Sequence, residues 1–521
     1  MTVPDPRHED LLSLIERQAG ARADATFMTF GDGTTMSFTR LQQDVARFRG
    51  HLYHLGIEPG ERVGLMLENS LFYPVAWLGV VTAGAVAVPM NKRLGESDAR
   101  YLIEDSGAVA LIVDESTEDV ARRAASATVR TIFVAGGSDP LGDVDGVPAP
   151  AGLHAGSLAN IQYTSGTTGF PKGCLLTHRY WQRMGAASVE IMKITADDTI
   201  LTSQPFSYID PQWNVIAALR AGAHLVLLDA FHPSTFMRDV ARFGVTVFYC
   251  LGVMPTLLLK QPPAPHDREH SLSRVFCSAI PAQRHAEIEQ RWGARWSEAF
   301  GMTETGINLA VAPEDHDRFV GAGCLGTALW HNEAIVVDEH DRELPPGEVG
   351  ELVLRGLGFM ESYHGSPEAT AEFFRNGWAH TGDLVVKDAD GYVYFRGRRK
   401  EMIRRGGENI APAEIETCLS THPEVLECAV VPVADEDIGE EIKAYVVTHP
   451  GVTISAESLA GYVGERLARF KVPRYWEFRA TLPHTPSEKI AKHELEQDGA
   501  DHLAAAIDVG RPRPSADAPK T

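Results

Sequence analysis

The stretch Tyr163-Thr164-Ser165-Gly166-Thr167-Thr168-Gly169-Phe170-Pro171-Lys172-Gly173 packs four Ser/Thr hydroxyls, three glycines and one lysine into eleven residues. Glycines let backbone N–H groups close on an anion with no Cβ in the way, hydroxyls add rotatable donors, and Lys172 supplies a point charge. Composition alone also fits a solvated Ser/Thr/Gly loop. Position favours a phosphate cradle, because Ile161 and Tyr163 lead in and Cys174-Leu175-Leu176 leads out, as for a loop between two strands. A Walker loop fails. That pattern needs Gly-x4-Gly-Lys-Ser/Thr, whereas Pro171 precedes Lys172 and Gly173 follows it.

From Thr164 to Gly173 the stretch resembles, residue for residue, the signature loop of the adenylate-forming superfamily: acyl-CoA ligases, luciferases and the adenylation domains of peptide synthetases. Further segments follow in that superfamily's order: Phe300-Gly301-Met302-Thr303-Glu304, His380-Thr381-Gly382-Asp383, Gly397-Arg398 through Glu416, and Lys489 near the end. Together they span nearly the whole chain. The Thr485-Pro486-Ser487-Glu488-Lys489 version of the last motif looks like the carnitine/crotonobetaine-CoA ligase branch.

Composition bounds the rest. A chain of 521 residues suggests more than one domain, and 44% hydrophobic residues suffices for ordinary cores. With 48 basic against 70 acidic residues the net charge is −22, which disfavours nucleic acid and anionic membranes as partners. Phosphate must then be bound by local positive groups. The six cysteines (174, 250, 277, 324, 418 and 428) are scattered without a Cys-x2-Cys pair, so neither a zinc site nor a disulfide framework is expected, and a reducing cytoplasm fits. The N-terminus carries early acids and no apolar core of a secretory signal. An uncharged run from Asn69 to Asn91 is divided by Pro74, Gly79, Gly84 and Pro89, which predicts a buried helix and then a buried strand rather than a membrane span.

Residues 1 to about 160 alternate strand-like runs (Arg62 to Met66, Ala85 to Val88, Val109 to Val113, Thr131 to Val134) with helical stretches such as Phe38 to Leu55. The expected fold class is therefore α/β, with parallel, doubly wound sheets. A second round has strands near Thr199 to Ser203, His224 to Leu228, Val245 to Tyr249 and Arg274 to Cys277. In such folds ligands sit where strands end and loops diverge. Short strands and Gly/Pro turns from about 319 suggest a small β-subdomain, with strands at Ala334 to Asp338 and Glu351 to Arg355. After Gly397 comes a compact α+β segment: helix Pro412 to Ser420, strands Glu427 to Val433 and Ile442 to Val447, helix Ser455 to Arg469, strand Tyr475 to Arg479. The expected division is an N-terminal adenylation domain over 1–397, its β-subdomain at about 319–397, a mobile C-terminal domain over 398–505 and a disordered tail over 506–521.

The chemistry implied by the resemblance has a carboxylate attack the α-phosphorus of ATP while pyrophosphate leaves, so charge neutralisation and positioning dominate. Thr164, Ser165, Gly166, Thr167, Thr168, Gly169 and Lys172 are then expected at the phosphates. Glu304 is expected to hold Mg2+ through the phosphates, and Thr303 to donate to the α-phosphate. Adenine falls between Ser278-Ala279-Ile280 and Ala299-Phe300-Gly301-Met302, with Phe300 where relatives usually carry Tyr. The resemblance assigns Asp383 to the ribose, aided by Arg398; taken by itself it reads as an ordinary turn aspartate. Lys400 matches the hinge position, and Arg404, Gly406 and Gly407 the loop that enters for thioester formation with coenzyme A. Read without that context, five basic residues between Arg398 and Arg405 suggest a nucleic-acid patch, which their glycines and acidic surroundings disfavour. Lys489 matches the lysine that bridges carboxylate and phosphate during adenylation; Glu488 stands before it where Gly is common.

The acid pocket is expected to be lined by Phe206 to Trp213, above all Tyr208, Asp210 and Trp213, then by Cys250 and Gly252, and by Gly306. A buried Asp210 would favour a substrate with a cationic or hydrogen-bond-donating group; a capping role before Pro211 is the alternative. The expected activity is an ATP-dependent, AMP-forming carboxylic acid:CoA ligase. Rival readings pass the same adenylate to a carrier-protein thiol or an amine, or activate nitrite as a diazotase. A noncatalytic nucleotide-binding scaffold is disfavoured by the presence of Glu304, Asp383, Arg398 and Lys489. A homodimer is compatible with these features.

Overall fold

The computed structural model describes residues 9–137, 139–164, 171–251, 253–405, 408–435, 438–484, 490–496 and 503–510. Two compact units emerge: residues 1–333 with 354–379, and residues 334–353 with 380–521.

In the first unit, six strands run in the spatial order Thr131–Ala135, Ala110–Asp114, Arg62–Met66, Val86–Pro89, Leu158–Thr164, Lys172–Thr177. All pairings are parallel except the last, an antiparallel pair in which Thr164 faces Lys172. The signature loop is thus the connection between two paired strands, as its apolar flanks predict. The run Asn69 to Asn91 forms the helix Phe72–Thr82, buried on nearly every side, and then the strand Val86–Pro89, buried at every residue. A helix apolar all round belongs inside a core. Gly79 is what admits its neighbour: a Cβ there would lie 2.6 Å from the Phe48 ring. Among the described residues no helix is long and apolar enough to cross a membrane. Phe38–His54, capped by Ser37 Oγ accepting from the Arg40 N–H, buries Phe38, Leu41, Val45, Phe48 and Leu52, the three-four spacing of one helical face.

A second sheet of this unit has the order Thr35–Ser37, Thr26–Phe30, His224–Leu227, Thr199–Thr202, Val247–Leu251, Arg274–Ser278, Arg295–Met302, Gly306–Ala310, Cys324–Ala328. From Thr26–Phe30 to Arg295–Met302 the pairings are parallel. Three adjacent strands therefore deliver Leu251, Ser278 and Met302 at carboxyl ends on the same edge, where ligands of such sheets bind.

The second unit carries the strand order Asn332–Val337, Val349–Gly356, Ala379–Lys387, Val393–Arg398. A separate six-stranded sheet follows, Glu408–Ile410, Ile403–Arg405, Gly439–Thr448, Tyr475–Phe478, Ile507–Asp508, with Val425–Asp435 also paired to Gly439–Thr448; the start of the segment expected as a disordered tail is thus ordered, because Ile507–Asp508 pairs antiparallel with Tyr475–Phe478. Helices Pro412–Ser420 and Ala456–Arg466 complete a separate core of Ile403, Ile415, Leu419, Val430, Ile442, Leu459, Val463 and Trp476. The helix expected to run to Arg469 stops at Arg466 because Leu467 is extended (φ −122°, ψ 162°), and a 3-10 turn Arg469–Lys471 follows.

Candidate active site

Ser165, Gly166, Thr167, Thr168, Gly169, Gly252, Gly406, Gly407 and Lys489 lie outside the described residues. The neck of the signature loop does not. Thr164 and Lys172 close it as register partners, with Thr164 Oγ1 donating to the Lys172 carbonyl at 3.4 Å. Tyr101 Oη donates to the Pro171 carbonyl (3.0 Å), and Tyr163 Oη donates to Asp105 (2.5 Å). A Cβ on Gly173 would meet Ile161 Cγ2 at 2.5 Å, so the exit strand needs glycine there.

Thr303 and Glu304 occupy the tip of a hairpin. Arg295–Met302 pairs antiparallel with Gly306–Ala310, Met302 facing Gly306, and the Thr305 N–H closes the turn on the Met302 carbonyl (3.2 Å). Gly306 has φ +72°, and a Cβ on it would collide with Met184 Sδ of the helix His178–Ile191. That sulfur accepts from the Ile307 N–H at 3.2 Å. The glycine expected in the acid pocket is therefore required by the turn and by the approach of this helix. Arg183, next along the helix and fully buried, donates to the carbonyls of Thr305 (2.8 Å), Gly358 (3.2 Å) and Ile307 (3.1 Å) and to Asn332 Oδ1 (3.2 Å). Burial pulls its guanidinium down to about 9.

The expected adenine residues lie side by side on neighbouring strand ends. Ser278 Oγ donates to the Ala299 carbonyl (2.6 Å) and contacts Tyr249 Oη (2.6 Å). Ala279 holds φ +69°, an unusual conformation for a residue with a Cβ. Glu298 secures it: its buried carboxylate accepts the N–H of Ala279 (2.5 Å) and of Ile280 (2.9 Å). Burial pushes this carboxyl up to about 8 in spite of both hydrogen bonds. Phe300 is half-buried.

On the acid side, Asp210 lies in the first turn of the helix Ile209–Ala221 and is buried (8% exposed). Trp213 Nε1 donates to its Oδ1 at 3.4 Å, and the Trp213 ring meets Tyr249 edge-on with centroids 4.8 Å apart. Tyr180 is fully buried, and burial first, then Cys174, Glu304 and Asp210, hold its hydroxyl far above the usual range. Tyr208 Oη accepts from Asn91 Nδ2 (3.1 Å). Cys250 is buried in the core cluster beneath the sheet, and Phe206 stacks on Tyr73 at 4.9 Å; both are packing residues. Tyr249, Tyr180 and Glu298 were not singled out from the sequence. Glu298 alone left a signal, a charged residue within the short run Trp296-Ser297-Glu298-Ala299-Phe300.

In the second unit, Asp383 and Arg398 are register partners on adjacent strands, and Arg398 Nε approaches Asp383 Oδ1 at 2.9 Å. Asp383 is 2% exposed at the side chain and Arg398 44%. The turn is fixed by Gly382 (φ +72°), whose N–H reaches Glu351, and by the Asp383 N–H donating to Thr381 Oγ1 (3.1 Å). Lys400 falls in the 3-10 turn Arg399–Glu401 immediately after that strand. Arg404 is exposed on Ile403–Arg405. Lys492, the nearest basic alternative to Lys489, is buried and held by Glu416 (2.8 Å) and Glu401 (3.0 Å), which keep its ammonium charged against the cost of burial.

A profile of AMP-binding enzymes matches residues 15–364, and one of the AMP-binding enzyme C-terminal domain matches residues 414–489. A crotonobetaine/carnitine–CoA ligase of Salmonella paratyphi B is 33% identical over 517 residues, covering 94% of this chain and 99% of that protein. The anthranilate CoA ligase AuaEII, solved with anthranoyl-AMP, superposes with a TM-score of 0.87 at 25% identity over 95% of this chain and 98% of its own. ATP-bound MatB from Rhodopseudomonas palustris gives 0.85 at 29% identity over 94% and 99%. The chain belongs to the AMP-binding enzyme family, the adenylate-forming ligases, across both of its matched segments.

Proposed function

We infer that this family member is an ATP-dependent, AMP-forming acid–CoA ligase whose acid carries a cationic or hydrogen-bond-donating group at the end remote from its carboxylate. The observation that carries the ligase reading is the convergence, within the first unit, of Lys172 from the phosphate loop and Glu304 from the hairpin tip onto one side chain, Tyr363. Glu304 presents a carboxylate of the hard-oxygen kind that suits Mg2+ bound with phosphates; the ion would supply charge neutralisation as pyrophosphate departs. Lys172 adds a fixed positive charge for the phosphates, and Thr303 a hydroxyl beside the carboxylate. Ser278 to Ile280, held by Glu298, forms one wall for the adenine, and Phe300 the other. Asp383 with Arg398 is assigned to the ribose, and Lys489 to the charge that develops between the attacking carboxylate and the α-phosphate.

Thioester formation is assigned to the domain beginning near 398, with Lys400 as hinge and Arg404, Gly406 and Gly407 on the face for coenzyme A. A core of its own from Ile403 onward supports its movement as one body. Lys492 is committed to Glu401 and Glu416 inside that domain, which supports Lys489 as the adenylation lysine.

The cationic preference rests on a buried carboxylate beside two aromatic rings, Asp210 with Trp213 and Tyr249, a combination suited to a fixed positive charge. The similar Salmonella ligase is named for crotonobetaine and carnitine, acids that carry a quaternary ammonium. Pyrophosphate release is measured with betaine-type acids and their neutral isosteres, followed by AMP release on adding CoA. The wild-type chain is expected to prefer the betaine type, and Asp210→Asn to reduce that preference at least about tenfold. An unchanged preference in a folded Asp210→Asn returns Asp210 to a structural role. AMP release with an amine or a carrier protein but not with CoA overturns the choice of acceptor.

A further inference from the structure

The segment Met360 to His364 ties the two loops expected at the phosphates to each other. The Met360 N–H donates to the Glu304 carbonyl (2.8 Å), the Leu175 N–H to the Ser362 carbonyl (2.9 Å), the Glu361 N–H to the Leu175 carbonyl (2.9 Å), and the His364 N–H to the Gly173 carbonyl (2.7 Å). It thus runs as an extra strand along the chain leaving the signature loop, with Cys174 and Tyr363 as bridge partners, while its first residue holds the backbone of Glu304. Tyr363 sits at the junction. Its hydroxyl donates to Glu304 Oε1 at 2.8 Å, and Lys172 Nζ stands 5.2 Å from its ring centroid.

Everything around Tyr363 fixes its direction. Its N–H donates to Thr370 Oγ1 (3.0 Å), and its ring meets Phe373 edge-on at 5.8 Å, both on the helix Pro367–Phe373. Thr370 in turn donates to the Ser366 carbonyl (2.9 Å). Tyr363 is 9% exposed.

We propose that Tyr363 is a positioning residue for adenylation, its hydroxyl orienting the Glu304 carboxylate for the metal–phosphate complex while its ring face confines Lys172. The inference rests on the reading of Glu304 as the metal-side carboxylate. A charge-assisted hydrogen bond to a buried carboxylate fixes one rotamer of a side chain that otherwise samples several. The ring face meets the lysine cation with the negative side of its quadrupole, limiting where the ammonium moves without neutralising it. One side chain thereby couples charges on loops more than 100 residues apart in sequence.

The test uses the full-length chain with Tyr363→Phe, which removes the hydroxyl and keeps the ring, and Glu304→Gln in parallel. Calorimetric ATP binding is measured with Mg2+ and with EDTA, beside pyrophosphate-release kinetics. For Tyr363→Phe the tightening of ATP by Mg2+ is expected to fall about tenfold, with ATP binding in EDTA unchanged, kcat for adenylation lower by about tenfold and KM for the acid unaltered. Tyr363→Leu, lacking the ring as well, is expected also to weaken ATP binding in EDTA. If Glu304→Gln abolishes the Mg2+ effect while Tyr363→Phe leaves it intact, Tyr363 only packs and the proposal is overturned. If Glu304→Gln itself keeps the wild-type Mg2+ effect, the reading of Glu304 fails first and the proposal falls with it.

Discussion

Gly306→Ala tests whether the hairpin that carries Glu304 is held by the helix behind it. The backbone there has φ +72°, where an L-residue is disfavoured by about 1–2 kcal/mol. The added methyl also collides with Met184 Sδ. Met184 is 1% exposed, and its sulfur accepts the Ile307 N–H, so it cannot swing aside without losing packing and a hydrogen bond. Overpacking at such a site costs about 1–3 kcal/mol. The two effects act together, and the expected loss is about 2–5 kcal/mol. Urea denaturation measures it for Gly306→Ala, Met184→Ala and the double variant. Removing the Met184 side chain relieves the collision but not the backbone strain, so the double variant should lose at least about 1 kcal/mol less than the single losses combined. Pyrophosphate release by folded Gly306→Ala should fall by at least about tenfold, since Thr303 and Glu304 ride on the displaced turn. A Gly306→Ala within about 0.5 kcal/mol of wild type, or strictly additive losses, would refute the reasoning.

Two further outcomes follow from other parts of the molecule. His285, Glu289 and His316 cluster as metal ligands do, yet the imidazoles are already engaged: His285 Nε2 with the Trp296 carbonyl (2.7 Å) and Nδ1 with the Gly321 N–H (3.1 Å), His316 between Glu289 (2.7 Å) and Asp317 (2.9 Å). The cluster is an ion pair. The hydrogen bond to Glu289 raises His316, while Glu289, penalised by burial, is held down to about 2 by His285, His316 and the Trp296 N–H. A raised histidine stabilises fully below its ordinary value near 6.5 and loses that contribution as pH rises through the folded value; a depressed glutamate stabilises above 4.5 and loses it as pH falls towards about 2. The pair should therefore stabilise most between about pH 4.5 and about pH 6.5, and His316→Gln should flatten the fall in Tm as pH rises above about 6.5; an unaltered slope counts against the pair. Lys489→Ala should fail to release pyrophosphate from ATP and acid yet convert supplied acyl-adenylate to thioester, whereas a bulky residue at Gly407 should accumulate adenylate; wild-type pyrophosphate release by Lys489→Ala removes Lys489 from the mechanism.

Much of this was legible in the sequence because it is encoded within a few residues. Alternation of apolar runs and turn residues placed Arg62–Met66 and Pro412–Ser420 to the residue, and the small, hydroxyl-rich loop between apolar flanks announced a connection between strands. Other features depend on which strands become neighbours. That Asp383 faces Arg398 follows from an antiparallel register, and that Ser278 lies beside Ala299 from a parallel one. Gly306 looked like a pocket glycine until the approach of Met184, 122 residues earlier, explained it, and Lys492 looked available until Glu401, 91 residues away, was found against it. Tyr363 had no local mark at all. Its partner Glu304 is 59 residues distant, and no periodicity or turn rule reports a hydrogen bond across that separation. Local pattern determined the elements and the residue types that bring chemistry. Sheet order and close packing decided which of those residues meet, because hydrogen bonds and van der Waals contact act only over a few ångströms, a distance that chain separation does not encode.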